Sequence, residues 1–290
     1  MREYDDITLK KVQQCELMIL KDFMEVCEEN HFTYFGLAGT GIGAIRHGGF
    51  IPWDDDIDIG ILRPDLDKLV EIFKERFPDK YTIGNCDNLK NYPLMTTRIM
   101  LKGTKFVEDA VKDINCELGI FLDVYPFDEA ANTENAYKTQ ALKTWFYSKL
   151  LILRYVSKPV LPFKGIKAKL AHAVCAVVHG SMVVFHVSPK FLYKKCLKAS
   201  SQYNGQGKKR IAVFFDTNPY TQTTLKEYVD RPVYHKFEDV MLPFPSNIDE
   251  MLRDMFGDYM QLPPEDKRKN HFPHELDFGD VFEKYNIPEA

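Results

Sequence analysis

From Ile7 to Asn30, apolar residues return at three- and four-residue steps: Val12, Cys15, Ile19, Phe23, Val26 and Cys27, with Lys and Glu between them. That spacing draws one apolar stripe along a helix. Thr8 is placed to cap it, and the stripe reads as core packing. Phe32 to Ala38 and Asp55 to Leu62 have the length and composition of strands. Pro64 opens a helix carried to about Phe77 by Leu66, Leu69, Val70, Ile72 and Phe73. Short strands are predicted at Tyr81 to Ile83, Met95 to Met100 and Lys105 to Glu108, with a turn at Lys102-Gly103-Thr104. Ile120, Phe121, Leu122, Val124 and Tyr125 are strand formers around a lone Asp123. Thr133 to about Val156 reads as a helix, and two prolines break the pattern between Ser157 and Gly165. Ile211 to Phe215 is strand-like, and Ile248 to Phe256 helical. Strands and helices interspersed in this way predict an α+β fold, a mixed sheet flanked by helices with an additional helical lobe.

The chemistry concentrates between Phe35 and Gly60, FGLAGTGIGAIRHGGFIPWDDDIDIG. Gly39-Thr40-Gly41 reads as a small-residue turn before a helix, whose free backbone N–H groups and positive dipole end suit phosphate. In a strand, Asp56 and Asp58 point one way while Ile57 and Ile59 point the other. Two carboxylates on one face are half of a site for Mg²⁺ or Mn²⁺, which prefer oxygen ligands. So many carboxylates side by side are costly without a cation. Asp54, on the same parity, reads as an outer ligand or turn cap, and Asp55 as structural. Asp123 needs a partner, because an unpaired carboxylate in an apolar strand costs several kcal/mol. That partner is either a cation shared with Asp56 and Asp58 or a basic residue such as Arg98. Arg46 is a phosphate clamp or an ion-pair partner of the acidic group, with His47 beside it. Pro52 and Trp53 read as loop-shaping.

The string GTGIGAIRHGGFIPWDDDID resembles the LicD/fukutin family of the nucleotidyltransferase-fold superfamily, with Gly41-Ile42 where two large aliphatics are commoner. The likeness extends to the segment around Asp123 and to the tail, where GDYMQLPP precedes a basic-plus-His end containing Arg268 and His271. It is weakest between 135 and 215. The resemblance implies that Asp56, Asp58 and Asp123 hold one or two Mg²⁺ and act in catalysis, with Asp123 able to take the proton of the attacking hydroxyl. Gly39, Thr40, Gly41, Arg46, His47, Arg268 and His271 then bind substrate, and Asp128 is structural or an outer partner. It further implies phosphoalcohol transfer, best known for phosphocholine from CDP-choline, to a hydroxyl of a cell-surface polysaccharide, teichoic acid or lipid-linked glycan precursor. Three regions are expected: a nucleotidyltransferase-like core over 1–134, a basic helical insertion over 135–210, and a C-terminal segment, 211–290, packing back on the core.

Composition constrains the alternatives. At 290 residues, 45% hydrophobic and 28% charged, the chain can bury one sizeable core. Six scattered cysteines without a C-x-x-C pair argue against a zinc knuckle or disulfide framework and for a reducing compartment. MREYDDITLKK lacks the apolar core of a signal peptide. A cytoplasmic protein is expected, either free or peripheral on the inner membrane face. The net charge of −4 hides an asymmetry: between Glu134 and Asp216 there are 15 Lys and Arg and no acid, leaving the remainder at −19. The most apolar run, Leu170 to Val187, is shorter than the ~20 residues of a membrane span and carries polar interruptions. With its flanking lysines it suits either a helix against anionic headgroups or a buried helix in the lobe. His172, His179 and His186 share a face but stand two turns apart, too far for one ion. A nucleotidyltransferase using NTP, and a glycan- or metal-binding module without turnover, remain open alternatives. No nucleic-acid motif accompanies the basic block.

Overall fold

The computed structural model describes residues 4–161, 163–268 and 270–288. One proline of the predicted break after Val156, Pro162, lies outside them, as does Lys269 of the basic tail. In chain order the elements are α1 (Asp6–Glu29), β1 (Tyr34–Gly36), α2 (Ala38–His47), β2 (Asp58–Leu62), α3 (Arg63–Arg76), β3 (Tyr81–Gly84), β4 (Thr97–Leu101), β5 (Lys105–Val107), β6 (Phe121–Ala130), α4 (Glu134–Tyr155), α5 (Ile166–Val184) and α6 (Pro189–Ser200). The C-terminal part adds β7 (Arg210–Ala212), β8 (Thr223–Leu225), α7 (Lys226–Asp230), β9 (Val233–Phe237), β10 (Val240–Phe244), α8 (Ile248–Phe256), β11 (Glu275–Asp277) and α9 (Val281–Tyr285).

The main sheet runs β1-β2-β6-β4-β3, with β7 on the far half of β6 and β8 beyond it. The pair β2–β6 is parallel and the other pairs antiparallel, so this is an α+β protein with a curled mixed sheet. At ten residues β6 is the spine: its first half pairs β2 and β4, and Asp128 to Ala130 pair β7. The strand formers around Asp123 end at Tyr125, and the strand runs on through Pro126 to Ala130. The proline is accommodated because it faces Ile61 across a parallel ladder, where slanted bonds leave alternate N–H groups free.

The stripe of α1 is realised, with Val12, Cys15, Ile19, Phe23, Val26 and Cys27 all at 0% exposure. Asp5, not Thr8, is the cap: its side chain accepts from the Thr8 N–H at 2.8 Å. The helix packs on β4 and β6. Gly60 of β2 lies under two rings, since a Cβ there would fall 2.5 Å from Phe35 and 2.9 Å from Phe127. Beyond the sheet edge, α4 packs against α5 and α6. Asp128 joins β6 to this region. Buried completely, it takes two donors of Arg63 at 2.5 and 2.6 Å, the Asn204 amide at 2.7 Å and the Ser200 hydroxyl. The structural reading of Asp128 therefore holds.

Two boundaries near the acidic stretch differ from expectation. The helix α2 begins at Ala38, so Gly39-Thr40-Gly41 form its first turn and not a loop before it. Their smallness serves packing, because a Cβ on Gly41 would meet Ile248 of α8 at 3.3 Å. The ladder of β2 begins at Asp58, so Asp56 precedes the strand. Alternation survives nonetheless, with Ile57 and Ile59 fully buried and Asp56 and Asp58 facing the other way, half-buried.

Candidate functional site

Asp58 and Asp123 are direct neighbours across β2 and β6, with Cα atoms about 4.8 Å apart as in any paired strands. On the other side of Asp123, in the same row, stands Arg98 of β4. Its Nε and Nη2 each reach an Asp123 oxygen at 3.2 Å, and Nη1 reaches Glu108 at 2.6 Å. The Phe121 ring lies 3.7 Å below the guanidinium. Burial opposes the charge of Arg98, but Asp123 and Glu108 outweigh it and hold the guanidinium firmly protonated. Of the two partners weighed for Asp123, the structure supplies Arg98. The carboxylate pairs with it through both oxygens and still borders Asp58.

Asp58 has no such help. Its Oδ1 is buried without a hydrogen-bond partner. Burial, then the charges of Asp56 and Asp123, push its carboxyl well above the ordinary range. Burial does the same to Asp54, reinforced by Asp56 and Asp55. Burial raises Asp56 to about 6, against the pull of His271. Carboxyls crowded in this way hold protons that a divalent cation would replace.

Asp55 is held differently. It is wholly buried, takes the Tyr4 hydroxyl at 2.7 Å on Oδ2 and the His271 backbone N–H at 2.7 Å on Oδ1. The His271 ring lies 3.5 Å from Asp55 and 3.3 Å from Asp56. Its hydrogen bond to Asp55, then the Asp56 charge, push its pKa up to about 10. One ligand atom each from Asp54, Asp55 and His271 lie within 4.8 Å of one another, close enough for one ion. Among the described residues Asp56, Asp58 and Asp123 do not form such a group. Strand pairing sets Asp58 beside Asp123, Asp56 precedes the strand, and the Asp58 Oδ1 has no partner among the described residues. Their oxygens are of the kind a hard cation prefers.

Glu16 of α1 escaped the sequence reading. It is 0% exposed, and neither carboxyl oxygen has a partner. Burial, then the charges of Asp56, Asp55, Asp54 and Asp58, push its pKa well above the ordinary range. The signal was available: four residues after Val12 and three before Ile19, Glu16 occupies the apolar stripe itself. Next to it, the Gln13 amide holds the Asp54 carbonyl at 2.9 Å.

The remaining predicted residues divide. The N-cap of α2, Leu37, offers no side chain to the helix's first N–H groups, so those around Gly39 are open to an anion. A Cβ on Gly39 would lie 2.9 Å from Asp54 Oδ2, so this cradle adjoins the carboxylates. The Thr40 hydroxyl accepts the Asp58 N–H at 2.8 Å and thereby ties the cradle to β2. Arg46 and His47 lie at the opposite end of α2, about 12 Å along its axis. Arg46 donates to the Tyr259 carbonyl at 2.5 Å and to the His47 ring at 2.9 Å, not to the acidic group. Arg268 stacks 4.5 Å over Trp53, whose ring faces His47. Of the tail pair, His271 joins the carboxylates and Arg268 joins the His47–Trp53 group. Among the described residues His172 and His179 bond separate carbonyls, of Pro159 and Leu153, and form no metal stripe.

Residues 31–163 match the nucleotidyltransferase domain of LicD/FKTN/FKRP. The chain is 29% identical over 273 residues to the lipopolysaccharide cholinephosphotransferase LicD of Haemophilus influenzae, covering 91% of this chain and 96% of that protein. Shorter likenesses, 40% over 66 residues and 47% over 47, join it to uncharacterized proteins of Rickettsia prowazekii and Rickettsia typhi. The matched stretch contains Asp56, Asp58, Asp123, Arg98 and the α2 cradle. Residues 31–163 belong to the LicD/FKTN/FKRP family.

Proposed function

We propose that this protein transfers phosphocholine from CDP-choline to a hydroxyl of a lipopolysaccharide or related lipid-linked glycan, on a nucleotidyltransferase-like core, with Mg²⁺ or Mn²⁺ held by Asp56, Asp58 and Asp123. The observation that carries it is the row Asp58–Asp123–Arg98 with Asp56 beside it and one Asp58 oxygen unpaired. The likeness to LicD over most of both chains supports the choice of substrates.

A bound cation would neutralise the phosphates and polarise the phosphorus under attack. The chain's own groups do the rest. The α2 N-terminus, at Gly39 and Thr40, binds phosphate oxygens through backbone N–H groups, while the Gly41 N–H is taken by the Leu37 carbonyl at 2.9 Å. Arg98 and Glu108 fix the Asp123 carboxylate in one orientation. Asp123 accepts the acceptor hydroxyl's proton as its oxygen bonds to the choline-bearing phosphorus. The bond from that phosphorus to the bridging oxygen breaks, and CMP leaves with the electron pair. Arg268 and Arg46 bring positive charge to the far end of α2, beside the His47 ring that accepts from Arg46, and this suits a further anionic part of either substrate.

The acceptor's lipid has a counterpart in the lobe of residues 135–210. Apolar side chains of α5 stand in solvent, with Ile166 at 85%, Leu170 at 68%, Val177 at 69% and Val184 at 71% exposure. Met182 alone on this helix is buried. No single helix among the described residues is long and apolar enough to cross a membrane; α5 and α6 pass only together, bent by 113°. Lys164, Lys167, Lys169, Lys190, Lys194 and Lys195 flank the apolar face, and no acid lies between Glu134 and Asp216. This charge attracts anionic headgroups and repels a second copy of the same face.

The test is purified protein with Mn²⁺, a lipid-linked glycan acceptor and CDP-choline, followed by CMP release and choline incorporation. Labelled CTP and ATP run in parallel for pyrophosphate. Acceptor-dependent CMP release is expected. Pyrophosphate release without CMP would assign the chain to NTP chemistry instead.

A further inference from the structure

Asp123 also borders a cavity of about 220 Å³. Met95, Val111, Ile152, Phe215 and Tyr125 supply much of its wall. It is smaller than the roughly 300 Å³ at which sites for drug-sized ligands begin, so it does not take the cytidine. Asp123 is part of the same wall, so whatever fills the cavity lies within a few bonds of the proposed reacting phosphorus.

The charge of the wall is specific. Asp123 and Glu108 are satisfied by Arg98. Asp216 stands at the rim, held by the Thr217 N–H at 2.6 Å and the Gln222 amide at 3.3 Å. Lys149 is near but donates to the Phe215 carbonyl at 3.2 Å. Counted together, Asp123, Glu108, Asp216, Arg98 and Lys149 leave one net negative charge around an apolar space. A primary ammonium needs three acceptors, and a polyol needs several donors and acceptors. Here the charged groups already have partners, Asp123, Glu108 and Arg98 in one another and Asp216 and Lys149 in Thr217, Gln222 and the Phe215 carbonyl, so that among the described residues only the hydroxyls of Thr96 and Tyr125 are without one. A quaternary ammonium needs none: it takes aromatic faces, methyl contacts and a nearby negative field.

We infer that this cavity is the alcohol subsite and that it selects a trimethylammonium head over a primary amine or a polyol. The assignment rests on the phosphocholine-transfer reading and adds the groups that choose the alcohol. Asp216 supplies the field at the rim, while Tyr125 and Phe215 supply the faces. Methyl groups fill the space beside Met95 and Val111.

The experiment compares wild type, Asp216→Asn and Val111→Phe in transfer from CDP-choline, CDP-ethanolamine and CDP-glycerol. Choline chloride is titrated calorimetrically into each protein with Mn²⁺ present. Asp216→Asn is expected to raise KM for CDP-choline about tenfold, the scale of one desolvated cation–aromatic contact, and to change that for CDP-glycerol less than twofold. Val111→Phe, folded by circular dichroism, is expected to abolish choline binding by filling the space. Equal losses on all three donors, unchanged preference in both variants, or no choline binding by wild type overturns the assignment. A wild type that binds choline through Asp216 yet releases no CMP from any donor would keep the subsite and remove the transfer reading.

Discussion

Asp58 and Asp123 face each other across a parallel strand pair, yet among the described residues only Asp123 is ion-paired. This asymmetry separates the two roles. Asp58→Asn removes a like charge and an unpaired oxygen, so the metal-free fold should keep its melting temperature or gain. Asp123→Asn removes one of the two counter-charges of a buried guanidinium, leaving Glu108, and should cost stability, up to about 3 kcal/mol. Both variants should lose transfer by on the order of 10²–10³ or more. Thermal melts in EDTA beside CMP-release rates check it. Equal destabilisation by both substitutions would contradict the pairing described.

A cation bound only by the folded state stabilises it by about 2.7 kcal/mol at a hundredfold excess over Kd. For a chain of this size that is a rise of roughly 4–8 °C in melting temperature. Mn²⁺ should produce such a rise in wild type, EDTA should reverse it, and Asp58→Asn should abolish most of it. The same rise in Asp58→Asn would move the ion to another group, such as Asp54, Asp55 and His271.

Glu16 gives a pH signature. Burial and four nearby carboxylates raise its pKa in the folded protein above the ordinary 4.5. The folded state then keeps a proton that the unfolded state releases. Its contribution to stability is full below about pH 4.5 and declines as pH rises. Glu16→Gln has no such decline. In EDTA, stability of the variant relative to wild type should therefore increase between pH 5 and 8, measured by urea unfolding. A gap that narrows over that range would mean that Glu16 is ionised and paired.

The exposed face of α5 should bind lipid electrostatically. Protein should float with vesicles containing anionic phospholipid and remain below with neutral ones, and raised salt should release it. Replacing Lys167 and Lys169 with Glu should weaken flotation by about 1 kcal/mol or more per residue, roughly fivefold each. Equal flotation with neutral vesicles would remove the electrostatic part, and no flotation would remove the lipid face.

Much of this was legible before any coordinates. Local spacing finds helices such as α1, α4 and α8, and the alternation that turns Asp56 and Asp58 to one side is a property of an extended chain. A carboxylate amid Phe121, Leu122 and Val124 announces an unmet need. Spacing does not say which residues from elsewhere meet it. Arg98 answers from the next strand while Asp58 stands opposite, and both belong to one row of the sheet. Glu16 was hidden by its stripe, since a helix pattern is read from its apolar members. The start of α2 at Ala38 was missed because three small residues suggest a turn until close packing against α8 explains them. The hairpin of β9 and β10 was missed because Pro243 and the charged positions around it mask the alternation.

Asp55 is gripped by two segments far apart in sequence, through Tyr4 and through His271, and the Tyr4 ring rests on Phe272 at 4.6 Å. One buried carboxylate is thus the shared anchor of both. Loosening the turn before α1 would free the stretch before β11 as well, and the acidic loop between them would shift with either.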